Sequence, residues 1–116
     1  MSNNPNTMAV GNIITHWVLA VTLSPASVAN ATSAEQTFTV KGLHLGDYAY
    51  VNKPTNQAGL VIANCRVSAA DTLAIAFGNV TAATITPTAS EVYTVKVSRP
   101  ENLNAAGTAS NISACT

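Results

Sequence analysis

Apolar and polar residues alternate with a period of two along most of this chain, which is the pattern of half-buried strands and not of helices. Trp17, Leu19, Val21 and Leu23 share one face of a first run, Ile13–Leu23. Phe38 and Val40 alternate with Thr37, Thr39 and Lys41, and Tyr48 and Tyr50 alternate with Ala49 and Val51. Val61, Ala63, Cys65 and Val67 oppose Leu60, Ile62, Asn64 and Arg66. Leu73, Ile75 and Phe77 then face one way, and Tyr93, Val95 and Val97 follow the same rule against Val92, Thr94, Lys96 and Ser98. A weaker short strand is expected at 84–86. Turn residues punctuate these runs at Ser24-Pro25, Gly42, Gly46-Asp47, Lys53-Pro54-Thr55-Asn56, Gly78-Asn79 and Pro87.

The reading is an all-β fold: an antiparallel two-sheet sandwich, jelly-roll-like, of about seven or eight strands. Ala69-Ala70-Asp71 is a tight connection, so 60–68 and 72–77 are expected to pair as a hairpin. The expected core is Trp17, Leu19, Val21, Phe38, Val61, Leu73, Ile75, Phe77, Tyr93, Val95 and Val97. Tyr48 and Tyr50 are placed with the core and cross-strand residues, as are Tyr93 and Trp17, and not on a sugar-binding face.

Length and charge sharpen this. A chain of 116 residues is one domain with room for a proper core. Lys and Arg number five, Asp and Glu number five, and charged residues make up only 9% of the chain. With no basic surplus to neutralise phosphates, nucleic acid is not an expected partner. A neutral surface lacks the repulsion that keeps free proteins apart, and so suits a protein docked in an assembly. We therefore expect a homo-oligomer, trimer favoured and dimer possible, with neutral Thr/Ala faces in the contact.

The two ends differ from the middle. Residues 1–12 and 102–116 contain no charged side chain and are rich in Asn, Ala, Ser and Thr. Neither can bury enough apolar surface to fold alone. The domain reading is thus an N-terminal arm at 1–12, a β-sandwich at 13–101 and a C-terminal polar tail at 102–116. Extended, the arms would reach about 40 and about 50 Å, enough to add to a neighbouring subunit.

The apolar run Ile13–Leu23, followed by Ala29-Asn30-Ala31, imitates a secretory signal. Residues 1–12 lack Lys and Arg, and His16 interrupts the run, so it reads as a strand. It is too short for the roughly 20 apolar residues that span a bilayer, and no membrane partner is expected.

Candidate chemistry is sparse. His16 and His44 sit between apolar neighbours without an acidic cluster, so no metal site is expected. The carboxylates Glu35, Asp47, Asp71, Glu91 and Glu101 form no close pair in sequence. No serine stands in a Gly-x-Ser-x-Gly setting, and the glycines form no phosphate cradle. Cys65 and Cys115 read as separate thiols, bridging only if the tail folds back along the sheet. Three matches to the glycosylation pattern, at Asn30, Asn79 and Asn111, are what chance supplies in a chain with twelve Asn, nine Ser and fifteen Thr. No catalytic, cofactor-binding or metal residue is assigned, and no enzyme is expected.

From about 43 to 101 certain stretches have a familiar look. They are Gly46-Asp47, Val51-Asn52-Lys53-Pro54-Thr55, Gln57-Ala58-Gly59-Leu60 and Arg66-Val67-Ser68-Ala69-Ala70-Asp71-Thr72-Leu73. Ala76-Phe77-Gly78-Asn79, Ile85-Thr86-Pro87-Thr88 and Tyr93-Thr94-Val95-Lys96-Val97-Ser98-Arg99-Pro100 complete them. In these the chain resembles capsid decoration (cement) proteins of tailed phages. The likeness covers about half the chain; residues 1–42 have no part in it. It implies a non-enzymatic virion protein on the capsid exterior, assembled in the host cytoplasm, that stabilises an icosahedral shell by bridging subunits of the major capsid protein. The alternative is a carbohydrate- or receptor-binding β-sandwich module of a phage fibre or surface adhesin, which needs exposed aromatics in a cleft.

Overall fold

The computed structural model describes residues 13–100. Six strands follow one another: β1 (Ile13–Leu23), β2 (Thr32–Thr39), β3 (Tyr48–Asn52), β4 (Leu60–Ala69), β5 (Thr72–Asn79) and β6 (Glu91–Pro100). No helix occurs among the described residues. The strands form two antiparallel three-stranded sheets, ordered β1-β6-β3 and β2-β5-β4. Only β4 and β5 form a hairpin, closed by Asp71 at φ 57°; every other connection passes from one sheet to the other. The arm at 1–12, the tail at 102–116 and Glu101 lie outside the described residues.

One core joins the two sheets. Leu73, Ile75 and Phe77 of β5 meet Tyr93, Val95 and Val97 of β6, all fully buried. Trp17, Leu19, Val21 and Phe38 pack against them half-buried, because β1 and β2 are edge strands. Val28 and Leu43 are also fully buried from loop positions, and Val40, Leu60 and Val67 complete the floor.

Three expectations need correction. The strand number among the described residues is six and not seven or eight, because 84–86 contributes a single bridge, Val28 to Ile85. The cause is Asn79, whose buried amide donates to the carbonyls of Val28 (3.0 Å) and Ala83 (2.8 Å) while its oxygen accepts from the Thr81 amide (2.9 Å). Side-chain bonds to the backbone here replace a ladder. That arrangement also uses up Asn79, so its match to the glycosylation pattern is a buried structural residue.

Val61 is exposed and not in the core. A bulge between Ile62 and Asn64 inserts one residue into β4 and exchanges its faces. Leu60 and Ile62 point inward before it, Cys65 and Val67 after it, opposite Ile75 and Leu73.

Tyr48 and Tyr50 point out, and Ala49 and Val51 point in, opposite Val97 and Val95. The face of β3 is set at its entrance. Asp47 is buried, with its side chain only 2% exposed, and period two then carries 49 and 51 inward.

Candidate functional site

The outer face of the β1-β6-β3 sheet is the candidate site. The strand register builds it in rows. Tyr48 lies beside Ser98 and His16, Tyr50 beside Lys96 and Val18, and Asn52 beside Thr94 and Ala20, with Val92 beside Thr22 at the far end. Large apolar groups stand in solvent on this face: Val18 is 64% exposed, Tyr50 60%, Val92 50% and Tyr48 49%. Ile13, His16, Tyr48, Tyr50, Lys96 and Ser98 line a shallow open depression of about 460 Å³ in it.

Charge on the face is minimal. Among the described residues three ion pairs engage Lys53 with Glu91, Arg66 with Glu35, and Arg99 with Asp47, each at 2.8 Å. Among the described residues Lys96 has no carboxylate within ion-pair distance, and it stands at the centre of the face between Val18 and Tyr50.

His16 Nδ1 and Ser98 Oγ lie 2.8 Å apart across 82 residues of sequence, a contact that no local motif announces. A serine beside a histidine is half of a nucleophile arrangement, the other half being a carboxylate that orients the ring. The described carboxylates are committed elsewhere. Arg66 Nε and Nη2 each donate to Glu35 at 2.8 Å, and this hydrogen-bonded guanidinium holds the Glu35 carboxyl below its ordinary range. Glu91 is lowered by Lys53 and by the Thr55 hydroxyl that donates to it. Asp71 Oδ1 accepts the Gly42 amide at 2.8 Å. Asp47 is lowered chiefly by Arg99, with the His44 amide adding a bond at 2.9 Å.

The remaining sequence candidates separate. His44 is exposed and offers Asp47 only its backbone. Cys65 is a free thiol donating to the Ala49 carbonyl at 3.1 Å, a tie from β4 to β3; Cys115 lies outside the described residues. Trp17 and Tyr93 stay with the core, while Tyr48 and Tyr50 move to the surface. No three His, Cys, Asp or Glu side chains converge among the described residues. Arrayed side by side, the groups of the outer face offer stacking surface, phenolic hydroxyls and one ammonium, which suits adhesion to another surface. Comparison with family models, curated proteins and solved structures returns no match for this chain.

Proposed function

We propose that the chain is a non-enzymatic virion structural protein that decorates the exterior of an icosahedral phage capsid and bridges major capsid subunits. The observation that carries this is the outer face of β1-β6-β3, where Val18, Tyr48, Tyr50 and Val92 stand exposed on a regular sheet with Lys96 as its one lysine. Large apolar side chains grouped on one exposed sheet face favour a protein contact there. The pairing of charges elsewhere supports the reading, since it leaves a neutral exterior suited to permanent docking.

The strand order supports a jelly-roll-like architecture. β1 pairs with β6 and β2 with β5, a nested arrangement wrapped between two sheets, as though a jelly roll had lost the fourth strand of each. The resemblance of 43–101 to decoration proteins adds the setting: virion exterior, with major capsid protein as partner.

The test mixes full-length chain with icosahedral shells assembled from the major capsid protein of the same phage genome. Saturable occupancy is expected, with loss of it in a Tyr48→Ala, Tyr50→Ala double variant that melts like the parent. Equal occupancy by the double variant, or none by the parent, overturns the reading. The two exposed tyrosines beside the depression also support the carbohydrate- or receptor-binding alternative. A glycan array probed with the isolated chain separates the two.

A further inference from the structure

The two sheets present four edge strands, and three of them carry devices that block further pairing. β3 has only five residues and runs into Lys53-Pro54. β4 breaks register twice, at Ile62/Asn64 and Val67/Ala69, and carries Arg66. β2 carries Glu35 at mid-strand, tied to Arg66 of β4 across the small side chains of β5. Short length, bulges and charges are the ordinary means of protecting an edge.

β1 is neither short nor charged, and its one register shift is confined to its first residues. It is eleven residues long and contains no Asp, Glu, Lys, Arg, Pro or Gly. Its register against β6 is unbroken from Thr15 to Leu23, the one irregularity lying between Ile13 and Thr15. Among the described residues no backbone hydrogen bond reaches it from any strand but β6. Among the described residues, one row of its amides and carbonyls is therefore open to a strand of matching length.

We infer that β1 pairs antiparallel with β1 of a second copy across a two-fold axis, fusing two β1-β6-β3 sheets into one six-stranded sheet. The charge pattern selects this occupant. Antiparallel pairing of identical strands about a two-fold axis sets the residues nearest the axis opposite or diagonal to their own copies, which repels where that stretch is charged. β1 carries no carboxylate, lysine or arginine, so no like-charge contact arises. Val18 is its middle residue and the most exposed apolar group of the sheet face, at 64%. An axis there sets Val18 against Val18 of the partner subunit, and His16 against Ala20 of the partner subunit.

Symmetry makes the state definite. Identical strands pairing in this way make an isologous contact, and an isologous contact closes at two copies. The product is a dimer and not the trimer favoured from composition. Its fused sheet would present Tyr48, Tyr50 and Lys96 twice on one continuous face. The inference goes beyond the shell-docking proposal and does not rest on it, because the isolated full-length chain supplies the test.

Sedimentation and light scattering should give the parent chain twice its monomer mass. Val18→Lys sets lysine against lysine and should halve that mass. Val92→Lys adds the same charge to the same face, on the central strand β6, and should leave the dimer intact. If Val18→Lys fails to fold, Val18→Glu, which sets glutamate against glutamate at the same axis, carries the comparison. Hydrogen exchange supplies the readout specific to edge pairing: both alternating sets of β1 amides should be protected in the parent, and one set should be released in Val18→Lys. A monomeric parent overturns the inference. So does a dimer that survives both lysine variants, or a monomer with both amide sets protected, since the chain's own terminal residues would then cover the edge.

Discussion

Arg99 grips Asp47 with two parallel hydrogen bonds, Nε to Oδ1 at 2.9 Å and Nη2 to Oδ2 at 2.8 Å, joining residues 52 apart in sequence. The same guanidinium donates to the Gly42 carbonyl at 2.7 Å and lies 4.9 Å from the centre of the Trp17 ring. One side chain thus ties β6 to the 42–47 loop and to β1, and fixes which way β3 enters its sheet. Replacing Arg99 with Met should lower the urea midpoint clearly, because a buried carboxylate loses its charged donors. Arg99→Lys should recover only part of this, lacking the planar fork. Urea unfolding followed by circular dichroism measures both.

The carboxylates imply a definite acid response. Asp47 is lowered by Arg99, Glu35 by Arg66, and Glu91 by Lys53 and Thr55. A carboxyl lowered in the fold stabilises it above its unfolded value, near 4, and loses that contribution as pH falls through its folded value. The urea midpoint should therefore hold down to about pH 5 and drop below about pH 4. Arg99→Met should flatten this acid limb, which a pH series of unfolding curves checks.

Tyr93 sets the alkaline limb. Its hydroxyl is buried without a hydrogen-bond partner among the described residues, and burial first, then the Glu91 charge, push its ionisation upward. A raised phenol stabilises the fold below its unfolded value, about 10, and loses that as pH rises through the folded value. Tyr93→Phe removes an unsatisfied polar atom with little change of shape. It should match or exceed the parent by up to about 1 kcal/mol and lose stability less steeply above about pH 10.

How much of this was legible in the sequence depends on where each decision is made. β5 and β6 could be read because their alternation is unbroken and one set is plainly larger, so Phe77→Ala should cost about 3–5 kcal/mol. In β4 the inserted residue is invisible to a period of two, which put Val61 on the wrong face; Val61→Ala should accordingly cost well under about 1 kcal/mol. In β3 both alternating sets, Tyr/Tyr and Ala/Val, are apolar, and hydropathy alone could not choose between them. The choice rests on Asp47 and Arg99, a contact across the fold. The candidate face was missed for the same reason: its tyrosines look like core residues until that contact turns them outward. Val28 and Leu43 sit in loops, where no period marks a buried residue.

Gly59 offers the sharpest local test. Its φ is +82°, and a Cβ placed there would overlap Cγ2 of Thr81. Thr81 is not free to turn aside. Its Oγ1 lies 2.7 Å from Asn79 Oδ1 and 2.9 Å from the Ala83 carbonyl, and the Val80 amide donates to the Gly59 carbonyl at 2.9 Å. Gly59→Ala therefore combines a left-handed backbone, costing about 1–2 kcal/mol, with overpacking against a fixed methyl group. Thr81→Ser keeps the hydroxyl and deletes the methyl, which separates the two causes. Gly59→Ala alone should lose about 3 kcal/mol in all. In the double variant about 1–2 kcal/mol of that loss should be recovered as coupling energy, the remainder being the backbone cost. Zero coupling in the cycle would show that the methyl contact contributes nothing and that φ alone demands glycine.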